Sequence, residues 1–268
     1  MKLAVDGRTA YAYTGGRAFE PGAPCIAFVH GALHDHSVWT LLARWFAHHG
    51  FGVLAVDLPG HGRSEGPPPA SIEAAADWLL GLLDAAGAPA AHLVGHSMGS
   101  LVALEAAARA PERAAGLVLV GSAFPMKVSP ALLDTAREAP ARAIDMVNAF
   151  SISTSAAKPS YPGPGAWLHG GNRALMHRIQ DGGAAHGNLF EHDFRVCDAY
   201  AGGLEAASRV RCPAHLVVGE RDVMTPPRAA APLAEALRAR VTRVRAGHAL
   251  MQEAPDAVLA ALRQAVGA

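Results

Sequence analysis

The sequence predicts an α/β fold: a mostly parallel eight-stranded sheet with helices on both faces and an inserted, mainly helical cap. Three observations carry this expectation. Short apolar runs such as Cys25-Ile26-Ala27-Phe28-Val29 and Val53-Leu54-Ala55-Val56 lack polar alternation and read as strands buried on both faces. Stretches with apolar residues at helical spacing separate them. The alternation stops after Gly121 and resumes at Ala214. The 268 residues suffice for one large domain or two small ones, and 51% hydrophobic residues supply a sizeable core.

The elements follow in order. Leu3–Val5 and Thr9–Thr14 read as a hairpin turning at Asp6-Gly7. After a Gly/Pro loop comes the strand Cys25–Val29, ending at His30-Gly31. Trp39, Leu42, Trp45 and Phe46 are spaced as on a helix over Val38–His49. The strand Val53–Val56 precedes a loop, and Ser71 caps a helix reaching Ala86. His92-Leu93-Val94 ends a buried strand, Ser100–Arg109 is rich in helix formers, and Gly116–Val120 is the next strand. From Phe124 to Arg209 no buried strand is visible. That segment holds helical patches (Ala131–Glu138, Ala143–Phe150) and a Pro/Gly/Ser stretch from Ser151 to Gly171. Ala214–Val218 restarts the sheet, then a helix over Arg228–Arg240, a strand over Val241–Arg245 and a helix over Pro255–Val266. The expected organisation is a core in two parts, 1–123 and 210–268, around a cap at 124–209.

Composition excludes some function classes. Lys plus Arg and Asp plus Glu number 23 each, and no basic run occurs, which argues against a nucleic-acid partner. The three cysteines, Cys25, Cys197 and Cys212, are scattered and odd in number, as in a reducing compartment. Charge at Lys2 and Asp6 interrupts the N-terminus too soon for a signal peptide, and no apolar run reaches membrane-spanning length. A cytoplasmic protein with no membrane span is expected.

Chemistry concentrates at Gly95-His96-Ser97-Met98-Gly99, between a strand and a helix. A chain that turns from strand directly into helix strains its central residue, and close neighbours must be small. The central serine hydroxyl then stands exposed above the sheet edge, beside helix N–H groups. A serine needs a base, and the base needs an orienting acid. Asp222, in Gly219-Glu220-Arg221-Asp222, and His248, in Gly247-His248, each follow a strand, in the order Ser–Asp–His. Glu220 competes as the acid but sits closer to the strand. An oxyanion hole needs two N–H donors. Met98 after the nucleophile supplies one, and Ala32, or else Leu33, in His30-Gly31-Ala32-Leu33 supplies the other. His30 and Gly31 read as support for that loop rather than as reacting groups.

These stretches, with Asp57-Leu58-Pro59-Gly60-His61-Gly62-Arg63-Ser64, resemble the α/β-hydrolase fold superfamily in its serine-hydrolase branch with a helical cap. The resemblance covers all but the cap. It implies the triad Ser97, Asp222, His248 and no cofactor. Serine at the elbow, not aspartate, argues against haloalkane dehalogenases and epoxide hydrolases. The Gly-Gly-Ser-Trp-Gly form of prolyl iminopeptidases is absent, and Ser100 stands where monoacylglycerol lipases often have glycine. His34-Asp35-His36 and His169, His177, His186 and His192 lack metal-ligand spacing, so no metal is expected. Gly60-His61-Gly62 is only part of a dinucleotide fingerprint.

The leading reading is a cofactor-free hydrolase of a carboxylic ester or related acyl compound, so the partner is a small molecule with an acyl or carbonyl group. Alternatives with the same triad are carbon–carbon bond hydrolysis, haloperoxidase-like perhydrolysis, and a non-catalytic small-molecule receptor. For the pocket the reading selects Leu33, Met126, Phe150, Trp167, Leu168 and Phe194, and expects Trp167 and Phe194 to set substrate choice. Trp39, Trp167, Leu168, Phe190 and Phe194 are as readily explained by ordinary packing.

Overall fold

A computed structural model describes residues 1–153 and 167–268. The strands are β1 (Lys2–Val5), β2 (Arg8–Tyr13), β3 (Cys25–Val29), β4 (Gly52–Val56), β5 (Ala91–His96), β6 (Ala114–Val120), β7 (Ala214–Gly219) and β8 (Arg240–Val244). They form one sheet in the order β1-β2-β4-β3-β5-β6-β7-β8. β1 and β2 form the antiparallel hairpin, with Asp6 and Gly7 at φ +50° and +72°, and β2 lies antiparallel on β4. These are the residue types that tolerate such a turn. Every other pair is parallel. The mostly parallel eight-stranded expectation holds.

Helices α1 (Thr40–Ala47), α2 (Ile72–Ala85) and α3 (Met98–Arg109) connect the first parallel strands. Between β6 and β7 lie α4 (Pro130–Glu138), α5 (Pro140–Ser151), α6 (Leu168–Gly182), α7 (Leu189–Ala199) and α8 (Gly203–Arg209). α9 (Pro227–Ala236), α10 (Leu250–Glu253) and α11 (Pro255–Val266) complete the chain.

Strand β3 shows why its run is apolar throughout. Cys25, Ala27 and Val29 face one core with α2, α3, α8 and α9, while Ile26 and Phe28 face the other with α1 and α11. Side chains alternate between faces, so a strand covered on both needs no polar position. Phe28 packs against Trp39 and Phe46, with ring centroids 5.0 and 6.1 Å apart, which accounts for two aromatics of the first helical stretch. Fully burying such a side chain contributes about 1.5–3 kcal/mol.

Helices α4–α7 build a third core around Ile144, Met176, Ile179, Leu189, Phe190 and Phe194, and Leu33 from the sheet's loops joins it. α8 instead packs on α3 and α9. The layer of sheet-covering helices therefore reaches back into the 124–209 segment, and the 209 boundary falls after a helix that belongs to that layer.

Some boundaries move for local reasons. The stretch expected as helix from Val38 opens as a 3-10 turn, His36–Trp39, because the Asp35 carboxylate accepts the Ser37 N–H at 2.9 Å and caps it. The helix expected to reach Arg240 ends at Ala236. Arg238 turns left-handed at φ +48°, and Arg240 is already in β8. Leu168–Gly171, expected in the Pro/Gly/Ser stretch, opens α6, while positions 154–166 of that stretch lie outside the described residues. Among the described residues no helix is long and apolar enough to cross a membrane.

Candidate active site

Ser97 sits between β5 and α3 with φ +52° and ψ −121°, a sparsely populated positive-φ conformation that costs a non-glycine residue about 1–3 kcal/mol. The surrounding glycines are explained by what a Cβ would strike. At Gly95 it would lie 2.0 Å from the Gly99 carbonyl oxygen, and at Gly99 it would lie 2.4 Å from the carbonyl oxygens of Val29 and His30. At Gly31 it would lie 3.1 Å from the Ser97 Cβ, so the loop after β3 passes directly over the serine. Ser100 Oγ bonds the Ser97 carbonyl at 2.5 Å and Ser122 Oγ at 2.7 Å, anchoring the first turn of α3. Met98 is the first residue of α3, where an N–H has no partner within its helix.

The loops after β7 and β8 bring Asp222 to His248. His248 Nδ1 donates to Asp222 Oδ2 at 2.8 Å, which leaves the Nε2 lone pair free to accept a proton. Asp222 also accepts from the N–H groups of Met224 and Thr225, at 2.9 and 2.8 Å, and from Thr225 Oγ1 at 2.7 Å. Burial would raise the Asp222 pKa, but the charge of His248 and these hydrogen bonds outweigh it and hold the carboxyl below its ordinary range. Glu220 is exposed. The His248 loop is pinned twice more. His96 Nε2 donates to the His248 carbonyl at 2.9 Å, and buried Glu253 accepts the Gly247 N–H at 2.9 Å and the Ser153 hydroxyl at 2.5 Å. Burial, then the neighbouring His248, push the His96 pKa well down, so its ring is neutral.

The loop after β3 is held from several sides. His30 Nδ1 donates to the Gly31 carbonyl at 2.8 Å, and its Nε2 accepts the Leu58 N–H at 3.1 Å. That pattern requires a neutral ring, and burial followed by the charge on His61 pushes its pKa down to about 4. His34 Nδ1 donates to the Ala32 carbonyl at 2.7 Å. The Ala32 N–H donates to no described residue. Leu33 stands at φ +54°, and its N–H donates to Asp193 Oδ2 at 2.8 Å, so it is committed elsewhere. Burying the Leu33 side chain contributes about 1.5–3 kcal/mol, enough to offset the left-handed backbone.

Asp193, on α7, also takes His61 Nε2 at 2.9 Å, while His61 Nδ1 donates to the Pro59 carbonyl at 3.0 Å. Both ring nitrogens donate, so His61 is an imidazolium. Burial opposes that charge on His61, but Asp193 outweighs it and raises the pKa. Burial likewise opposes the charge on Asp193, but His61 and the Leu33 N–H outweigh it and lower the pKa.

Ser97, His248, His96, Gly31 and Ala32 open onto one cavity of about 480 Å³, roofed by α4, α5 and α7. Of the residues selected for the pocket, Met126, Phe150 and Phe194 line it, together with Met146, Cys197 and Met224. Leu33 does not: it is fully buried beside Phe190 in the core of the inserted helices. Trp167 is 64% exposed and lies over Gly170, and Leu168 packs on Ile152 and Ala249 away from the serine. Spacing gave no means to tell these apolar residues apart. Thr225, Glu253 and Asp193 escaped the sequence reading because each acts through partners distant in sequence or through a backbone group.

Among the described residues one group has metal-ligand proximity, Asp35, His36 and Asp57, with candidate atoms within 4.8 Å of one another. Its oxygens are already in use. Asp57 accepts from the His36 N–H and Nδ1, both at 2.7 Å, and from the Arg63 N–H at 2.9 Å, which makes it a loop brace.

Residues 26–261 match the model of the alpha/beta hydrolase family. The chain is 31% identical over 260 residues to a pimeloyl-[acyl-carrier protein] methyl ester esterase of Chromobacterium violaceum, covering 90% of this chain and 86% of that one. It is 40% identical over 119 residues to the dihydrolipoyllysine-residue acetyltransferase component of the acetoin cleaving system of Cupriavidus necator. That match covers 43% of this chain and only 30% of the relative's length. An enol-lactonase from Burkholderia xenovorans LB400 superposes with a TM-score of 0.85 at 23% identity, covering 100% of both chains, which is a likeness of fold.

Proposed function

The chain belongs to the alpha/beta hydrolase family, and on that premise we propose that it is a serine hydrolase of carboxylic esters or related acyl compounds, acting through an acyl-enzyme on Ser97. One observation carries the reading. A serine in strained positive-φ backbone shares a cavity with a histidine whose other nitrogen is tied to a buried carboxylate. The likeness to a methyl ester esterase over most of both chains supports ester as the bond.

Ser97 Oγ attacks the carbonyl carbon while His248 Nε2 takes its proton. Asp222 holds the Nδ1–H tautomer and stabilises the imidazolium that forms. The negative charge on the carbonyl oxygen is met by the N–H groups of Met98 and Ala32. Collapse expels the alcohol, which takes the proton from His248. Water then gives its proton to His248 and attacks the acyl carbon, and the second collapse releases the acid and restores Ser97. Among the described residues that line the cavity, Lys127 at its rim is the one Lys, Arg, Asp or Glu, so the reading favours an uncharged, partly apolar acyl or alcohol group.

A substrate library with the purified protein tests this. Esters of graded acyl length should turn over with an optimum inside the series. Turnover confined to diketones or to peroxide chemistry, or tight ligand binding with negligible turnover, would contradict it.

A further inference from the structure

We infer that Asp193, on helix α7 of the inserted segment, is a positioning residue that sets the geometry of the oxyanion loop. The inference rests on the proposed triad and on Ala32 as an oxyanion donor. Three observations meet at this residue. One carboxylate oxygen, Asp193 Oδ2, receives both the Leu33 N–H at 2.8 Å and His61 Nε2 at 2.9 Å, although the two partners come from different loops of the sheet. Leu33 holds a left-handed backbone, φ +54°, and its side chain is buried among the inserted helices rather than in the sheet's own cores. The adjacent Ala32 opens onto the Ser97 cavity, and its N–H donates to no described residue.

The chemistry follows from the chain's geometry. The Leu33 N–H and the Ala32 carbonyl lie in one peptide plane, which meets the plane carrying the Ala32 N–H at the Ala32 Cα, so fixing the first plane leaves the neighbouring amide only the two soft dihedrals of Ala32. With Leu33 N–H aimed at Asp193, that amide is withdrawn from the site. The Ala32 peptide is then held between this bond and the His34 bond to its carbonyl, at 2.7 Å. Asp193 touches neither Ser97 nor the cavity, so it acts through the loop. His61, donating at both nitrogens, fixes the carboxylate in turn. The helix that roofs the cavity therefore also holds one wall of the catalytic machinery, and an oxyanion hole of full strength requires α7 to be docked.

The experiment compares Asp193→Ala and Asp193→Asn with the unmutated protein on p-nitrophenyl butyrate, and follows fluorophosphonate labelling of Ser97. Asp193→Ala should lower kcat about a hundredfold, the scale of losing one oxyanion donor, with KM changed by less than about threefold. Asp193→Asn keeps an oxygen able to accept both N–H groups and should restore most of that loss. Unchanged kcat in Asp193→Ala, a loss expressed in KM alone, or a loss that Asp193→Asn shares in full would overturn the inference. Should Asp193→Ala not fold, the Leu33 amide of the 15N-leucine-labelled unmutated protein decides, assigned by its absence in Leu33→Met. It should resist solvent exchange equally before and after Ser97 is phosphonylated. Free exchange, or a change of partner on phosphonylation, would overturn the inference. If the unmutated protein neither hydrolyses the ester nor labels at Ser97, the functional reading fails and takes this one with it. A labelled, active parent beside an unaffected Asp193→Ala sinks this inference alone.

Discussion

At the scale of single residues, the site divides labour between groups that react and groups that hold them. Asp222→Asn should leave the fold intact and lower kcat by about four orders of magnitude, because the amide favours the wrong tautomer of His248. Thr225→Val removes one of the hydrogen bonds to Asp222, at 2.7 Å, and should lower kcat about fivefold, in line with about 1 kcal/mol for one such bond. Steady-state kinetics on one ester checks both, and a Thr225→Val loss as large as that of Asp222→Asn would contradict the ranking. Ser97 and Asp222 were legible because each follows an apolar run that reads as a buried strand, and His248 because it follows the last strand and completes the order Ser–Asp–His. Thr225 was not, since nothing in Asp222-Val223-Met224-Thr225 says that the chain curls back to bond its own carboxylate. Asp193 was less legible still, as its partners lie 160 and 132 residues away.

At the scale of elements, the turn between β5 and α3 has no room to spare. Gly99→Ala would drive a Cβ to 2.4 Å from two backbone oxygens, which cannot move without breaking the β3 loop. The variant should lose about 3 kcal/mol or more of stability, read by chemical unfolding, together with Ser97 labelling. The inserted helices make a different prediction. Phe194→Ala enlarges the cavity and should shift the preferred acyl chain to longer esters, whereas Trp167→Ala should leave the ranking unchanged, since Trp167 lies 64% exposed outside it. A ranking that responds to Trp167 and not to Phe194 would contradict this assignment. Periodicity located α4 and α5 to within a few residues. It could not show which apolar side chains face the cavity, because a helix core and a pocket wall use the same residues. Nor could it show that α8 packs on α3, for the apolar pattern of one helix does not name the surface it meets.

At the scale of the whole molecule, the inserted helices are joined to the sheet's loops by a buried ion pair, His61 with Asp193. The folded-state pKa of His61 is raised, so its contribution is complete below the ordinary value of 6.5 and is lost as pH rises through the folded value. The folded-state pKa of Asp193 is lowered, so its contribution is present above the ordinary 3.8 and is lost as pH falls through the folded value. Stability from the pair should therefore be greatest between those two pH values. Thermal unfolding should show Tm declining above about pH 6.5 in the parent and less steeply in His61→Gln. Parallel slopes would contradict a charged His61. The inner strands β3 to β7 were legible because a strand buried on both faces admits almost no polar residue, whereas β1 and β2 were read from the Asp6-Gly7 turn and β8 from the alternation of strands with helices. An ion pair between a loop and a distant helix has no such local signature. Reacting the purified protein with a fluorophosphonate and mapping the adduct by mass spectrometry decides whether Ser97 is the nucleophile. One adduct per chain is expected, on Ser97, absent in Ser97→Ala. An adduct on another residue with Ser97 unmodified would contradict that assignment.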